Sequence, residues 1–251
     1  MYGYDFDGQP LVEVFSVGLH SGEAPTGTVS VFDGKRGQII YRRSPDQPRK
    51  PSSRLQNSGE LPLTGPYRAV SADGCVAIVL DLQGRCQNKA AAASSSSSSS
   101  YVAEILLDVY DENTRYDEAI THDDGFVQVR YALLSDAAEA IIEVRLLLPR
   151  ASGKLRGTLV ARTDVGEVVL FDETDAATSI GTQGLAVVPL ARSVVAVPLT
   201  SSLTIDVDLV DDGGGTTVKE SVALAPKLPG GSKEVCRPHG GEVEVTVTWL
   251  D

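Results

Sequence analysis

Val243-Glu244-Val245-Thr246-Val247-Thr248-Trp249, close to the end of the chain, decides the class of the fold. A period of two puts Val243, Val245, Val247 and Trp249 on one face of a strand and Glu242, Glu244, Thr246 and Thr248 on the other. A helix of the same residues scatters both sets around its circumference. Working back along the chain, Leu203, Ile205, Val207 and Leu209 alternate with Thr204, Asp206 and Asp208 in the same manner. Val127, Val129, Tyr131 and Leu133 alternate with Gln128, Arg130 and Ala132. Ala140, Ile142, Val144 and Leu146 stand against Ile141, Glu143, Arg145 and Leu147, whose partly apolar character places this strand nearer the centre of a sheet. Pro149, with no amide to donate, closes it.

Shorter strands are expected over 11–17, 27–32, 38–42, 68–71, 76–82, 102–110, 155–162, 168–171, 193–197 and 219–224. Asp33-Gly34, Asp73-Gly74, Asp124-Gly125, Asp212-Gly213 and Pro229-Gly230-Gly231 supply the backbone angles that tight reversals need. Many short strands at this spacing predict an all-β chain with little helix. The architecture expected is a two-sheet antiparallel β-sandwich, with barrel-like closure as the alternative. Residues 1–10 read as an N-terminal tail and 11–251 as one sandwich domain. Within it, 87–100, which contains Ala90–Ala93 and Ser94–Ser100, reads as a low-complexity flexible loop. Ser135-Asp136-Ala137-Ala138-Glu139 fits a bulge, a turn or one helical turn.

The balance of 22 Lys and Arg against 34 Asp and Glu, a net −12, repels phosphate backbones and anionic lipid heads, so neither nucleic acid nor membrane is expected as a partner. The basic stretch from Arg42 to Arg54 carries Pro45, Pro48 and Pro51 and reads first as a solvated loop. Cys75, Cys86 and Cys236 lack the spacing of a zinc site or a disulfide framework. No signal peptide, sequon or membrane-length apolar run appears, so a cytoplasmic setting is expected.

Five segments in this order carry a family resemblance: Val12–Val17, Leu63–Val70, Tyr131–Ser135 with Glu139-Ala140, Arg192–Pro198 and Val243–Trp249. They resemble an uncharacterised domain of grasses and cereals whose members stand alone or beside the N-glycosidase domain of ribosome-inactivating proteins. The resemblance implies a plant protein connected with defence or stress, with no set of catalytic residues to transfer. The toxin's own helix, with its glutamate and arginine, is not seen.

The search for chemistry ends mostly in near misses. Gly18-Leu19-His20-Ser21-Gly22 puts histidine where a nucleophile elbow needs serine. The glycines of 213–215 lack a phosphate loop's closing glycine and lysine. His122-Asp123-Asp124 offers metal ligands, but neighbours on an extended chain point apart. Asp206, Asp208, Asp211 and Asp212 gather carboxylates on one strand and the turn after it, a candidate calcium site set against a solvated acidic edge. The leading expectation is a non-enzymatic interaction or accessory module that engages a protein partner through loops or edge strands, without a cofactor. A ligand- or calcium-binding sandwich is the alternative. A cryptic hydrolase using His20 or His122 comes third.

Overall fold

The computed structural model describes residues 8–19, 25–47, 59–85, 98–107, 113–122, 125–147, 154–179, 185–211, 217–228, 232–236 and 243–250. They form sixteen antiparallel strands and no helix. The first eight are β1 (Gln9–Leu19), β2 (Thr26–Phe32), β3 (Gly37–Arg43), β4 (Val70–Ser71), β5 (Val76–Arg85), β6 (Ser98–Leu107), β7 (Thr114–His122) and β8 (Gly125–Leu147). The remainder are β9 (Lys154–Arg162), β10 (Glu167–Ser179), β11 (Leu185–Val187), β12 (Val194–Pro198), β13 (Leu203–Asp211), β14 (Thr217–Leu224), β15 (Ser232–Cys236) and β16 (Val243–Leu250). All four strands read from strict alternation are present. The strand expected from Val102 starts earlier, because Ser98, Ser99 and Ser100 pair with Arg85, Gly84 and Gln83. The end of the serine tract is therefore strand rather than loop. Likewise Gln9 and Pro10, expected in the tail, open β1.

The two strands expected at 127–133 and 140–146 are one strand, β8, and the residues between them are a bulge. Gln9 of β1 pairs with Ala137 while Leu11 pairs with Leu134, so two residues of β8, Ser135 and Asp136, oppose Pro10 alone. The extra residue explains a change of parity. Core-facing positions are odd before it (Val127, Val129, Tyr131, Leu133) and even after it (Ala138, Ala140, Ile142, Val144, Leu146). Without a bulge this switch would throw half of β8 onto the wrong face.

β8 is the spine of an eight-stranded sheet. Its first half lies between β1 and β7, with β4 beyond β1; its second half lies between β12 and β16, with β15 beyond β16 and β11 pairing at its end. The sheet β3-β2-β5-β6 covers the inner face of the first half, and β10-β9-β13-β14 covers that of the second. Two-sheet packing thus occurs twice. Val29, Ile78, Leu80 and Leu82 meet Val17 and Val129 in one core, and Leu159, Ile205, Leu170 and Val207 meet Val245, Val247 and Trp249 in the other. Each large side chain fully withdrawn from water contributes about 1.5–3 kcal/mol, which is why the strictly alternating strands supply both cores.

The two halves are built to one plan. In the first, β2 and β3 pair Val29 with Tyr41 and Ser30 with Ile39 across an irregularity. In the second, β9 and β10 pair Leu159 with Phe171 and Val160 with Val169 across the same irregularity. Gly27 pairs with Leu82 as Gly157 pairs with Leu209, and both glycines have positive φ, 119° and 122°. β1 to β8 therefore form one eight-stranded repeat. The second half of β8 takes the place of β1 in the next, with β12 in the place of β4 and β15 and β16 in those of β7 and the first half of β8.

In the first repeat the β2–β3 turn is closed by its own polar contacts. Asp33 accepts the amides of Lys35 (3.1 Å) and Arg36 (2.7 Å) and pairs with the guanidinium of Arg68. Burial raises the Asp33 carboxyl, but these three donors together outweigh it and hold it below the usual carboxylate range. A carboxyl so depressed contributes stability that is present at neutral pH and lost as pH falls below about 4. Asp33→Asn is expected to leave a melting midpoint that declines less steeply between about pH 5 and pH 3 than that of the wild type, read by thermal melting at each pH.

Candidate functional site

Three places could carry a function: the aspartate cluster, the sheet edges and the seam between the repeats. Asp206 is held by Arg162 Nε (2.7 Å) and accepts Ser221 Oγ (2.8 Å). Asp208 pairs with Lys219 Nζ at 3.3 Å. Asp211 is buried, and Asp212 lies outside the described residues. Among the described residues no three His, Cys, Asp or Glu side chains group as a metal site. Asp206 and Asp208 are each ion-paired to a cation on a neighbouring strand. His20, Asp123, Asp124, His239 and Cys86 lie outside the described residues; His122 ends β7, paired with Gly125, and Cys75 is an exposed free thiol.

Among the sheet edges β6 is distinctive. It is the last strand of its sheet, so alternate N–H and C=O groups on its far side face no further strand among the described residues. Tyr101, Ile105 and Leu107 enter the core, which turns Val102, Glu104 and Leu106 outward. Val102 is 66% and Leu106 71% exposed. The register extends the apolar patch inward: Leu106 lies beside Ala77 of β5, and Ala77 beside the exposed Phe32 of β2. The corresponding edge of the second repeat, β14, turns out Thr217, Lys219 and Ser221 instead. Charge and polarity blunt that edge along its length, whereas β6 sets a single carboxylate, Glu104, between two exposed apolar side chains.

The seam forms where β8 bends. Glu13 pairs with Ala132 and Ala196 with Glu139, seven positions apart along β8, a distance of about 23 Å on a straight strand. Yet the Glu13 carboxylate accepts the Ala196 amide at 2.7 Å. The outer faces of the two halves must fold toward each other at the bulge, and there Leu11, Ala69, Ala132 and Leu134 pack with Ala137, Val194 and Ala196. The contact is reciprocal. Glu139, the counterpart of Glu13, accepts the amide of Ala69, the counterpart of Ala196, at 2.9 Å.

Arg192 completes the seam. It is 2% exposed, pairs with Glu13 through Nη2 and donates Nη1 to the Val14 carbonyl at 2.7 Å. Burial pushes the Glu13 carboxyl up, against the opposing pull of Arg192 and the Ala196 amide. Beside the pair opens a cleft of about 360 Å³ whose lining includes Phe15, Leu61, Arg115, Arg130, Arg162 and Arg192. No sequence motif singles out these arginines. Only Arg192 leaves a trace there, as a lone charge in the apolar run Leu190–Val197, matched by Glu13 inside Leu11–Phe15.

The sequence pattern described as Domain of unknown function (DUF6598) matches residues 11–247. The chain belongs to that family. No curated protein matches this DUF6598 chain. Among solved structures it is similar to one of Extended-Synaptotagmin 2 that holds the SMP domain and two C2 domains, with 9% identity and a TM-score of 0.30, over 97% of this chain and 56% of that one. A second structure, of the two C2 domains of Extended-Synaptotagmin 2, gives 7% identity and a TM-score of 0.27 over 99% and 93%. Human GIVD cytosolic phospholipase A2 gives 9% and 0.26 over 97% and 33%. Among the described residues of the DUF6598 chain no helix is long and apolar enough to cross a membrane.

Proposed function

We propose that the chain is a non-enzymatic interaction module that takes an extended segment of a protein partner along the open edge of β6. The observation that carries this reading is an open edge strand with Val102 and Leu106 exposed on its outer face. Strand addition draws affinity from main-chain hydrogen bonds and specificity from alternate side chains. Here those side chains also carry charge. Glu104 stands between Val102 and Leu106, Asp81 of β5 is in register with Val102, and neither carboxylate has an ion pair among the described residues. The matching partner is a strand with a basic residue between two apolar ones. We include in the proposal the setting implied by the family resemblance: a plant protein of defence or stress, acting in the cytoplasm.

Selection of random peptides on the full chain is expected to enrich that apolar-basic-apolar alternation. Leu106→Lys puts a charge on the exposed edge and is expected to weaken the selected peptides at least about tenfold while leaving the melting midpoint unchanged. Bound peptide is expected to slow hydrogen exchange of the β6 amides. Peptides that bind Leu106→Lys as tightly as wild type, without protecting β6, would place the interaction elsewhere.

A further inference from the structure

We propose that the cleft between the repeats is a binding site for a small organic carboxylate with an apolar body. The first ground is an unused donor. Arg192 lines the cleft, yet its Nε finds no acceptor among the described residues, and no other side chain left with such an orphaned buried atom lines that cleft. A buried N–H without an acceptor costs about 1–3 kcal/mol, and because this one is closed to solvent, an oxygen reaches it when the cleft wall gives slightly on binding. Nη1 and Nη2 are already committed to Val14 and Glu13, so the guanidinium is fixed in place with Nε its one uncommitted donor atom.

The second ground is the charge balance of the walls. Arg130 is engaged by Glu60 (3.2 Å) and Asp117 (3.3 Å), and Arg162 by Glu167 (2.9 Å) and Asp206. Arg115 is different. It is exposed and lies over the Phe15 ring, 5.7 Å from its centroid, with no carboxylate partner among the described residues. The charge of Arg192 is balanced by Glu13, which leaves Arg115 as the one cation among the described residues lining the cleft without a counter-charge. Asp164 also lines the cleft and has no ion pair among the described residues, so Arg115 is the single point at which the wall can take an anion and the charge it takes is at most one. A phosphate dianion would add a second charge facing Glu60, Asp164 and Glu167, which also line the cleft. A carboxylate fits the planar fork of the Arg115 guanidinium and carries one charge.

The third ground is the rest of the lining. Phe15, Leu61, Leu63, Val165 and Val169 give an apolar floor beside the polar rim, and the volume lies at the small end of ligand pockets, roughly 300–1,000 Å³. Phe15 lies close against the β9–β10 turn: a Cβ on Gly166 would fall 2.6 Å from its ring, so a larger residue there would displace the ring.

The probes are 3-phenylpropionate, acetate and inorganic phosphate, titrated into the full chain by calorimetry and by thermal melting. Phenylpropionate is expected to release or absorb heat and to raise the midpoint with dose as ligand passes its dissociation constant. Arg115→Ala is expected to weaken it about tenfold or more without changing the midpoint of the free protein, because Arg115 is exposed. Phe15→Ala is expected to weaken phenylpropionate more than acetate, which separates the apolar floor from the charge. Phosphate binding as tightly as phenylpropionate would overturn the carboxylate assignment. The site itself is overturned by no heat and no shift at about 10 mM phenylpropionate, or by equal affinity in wild type and Arg115→Ala.

Discussion

Glu13→Leu is expected to destabilise the protein by about 3–5 kcal/mol, because it strands a buried guanidinium, and to lower the melting midpoint by on the order of 10 °C. Arg192 is 2% exposed, and Glu13 is its only ion-pair partner among the described residues. Removing the carboxylate leaves a charge in an apolar seam and also orphans the Ala196 amide. The double variant Glu13→Leu with Arg192→Leu removes both charges and is expected to recover most of the loss, since a buried pair replaced by apolar groups of similar volume is often neutral. The quantity to measure is the coupling in a double-mutant cycle by denaturant unfolding. Additive single and double effects would show that the pair is not a unit. A wild-type-like Glu13→Leu would show that the seam does not depend on it.

Why this seam escapes a reading of the sequence is a matter of what alternation encodes. Trp249, Ile205 and Val129 lie on faces fixed by period two, and any strand with one dry face shows that period. The class of fold, the four strict strands and most of the weaker ones were legible for this reason. β7, β11 and β15 are not foreseen: Thr114–His122 carries charge on both faces, Arg115 and Asp117 on one and Glu118 on the other, with little apolar contrast, and Leu185–Val187 is too short to show a period. The bulge was legible in principle. Odd core positions up to Leu133 and even ones from Ala138 require an unpaired residue if both halves are to face one way. The cleft was not legible, because Arg115, Arg130, Arg162 and Arg192 are contributed by four separate segments and meet only when β8 bends. Likewise Val102 and Leu106 read as ordinary strand residues; that β6 is an edge is a fact of topology.

Gly157→Ala is expected to be among the most damaging of single-methyl additions, and Gly27→Ala to match it in the other repeat. A Cβ on Gly157 would stand 2.0 Å from the carbonyl oxygen of Asp208, and one on Gly27 would stand 2.0 Å from that of Asp81. Both obstacles are backbone, which cannot swing aside as a side chain end can. Both glycines also have φ near +120°, outside the regions that residues with a Cβ occupy. Steric overlap and backbone strain together predict a loss of at least about 3 kcal/mol at each site, read from urea unfolding. Gly74→Ala is the control: nothing lies within 4 Å of its added methyl, and its change is expected to stay within about 0.5 kcal/mol. The pairing of the two results tests the duplication as well as the strain. Gly27 and Gly157 sit where β2 crosses β5 and where β9 crosses β13, each against a carbonyl from an aspartate followed by leucine, Asp81-Leu82 and Asp208-Leu209. If one plan built both repeats, the same close approach recurs for the same reason, and the two substitutions fail alike. A large cost at one glycine beside a neutral result at the other would mean that the shared register conceals two different solutions.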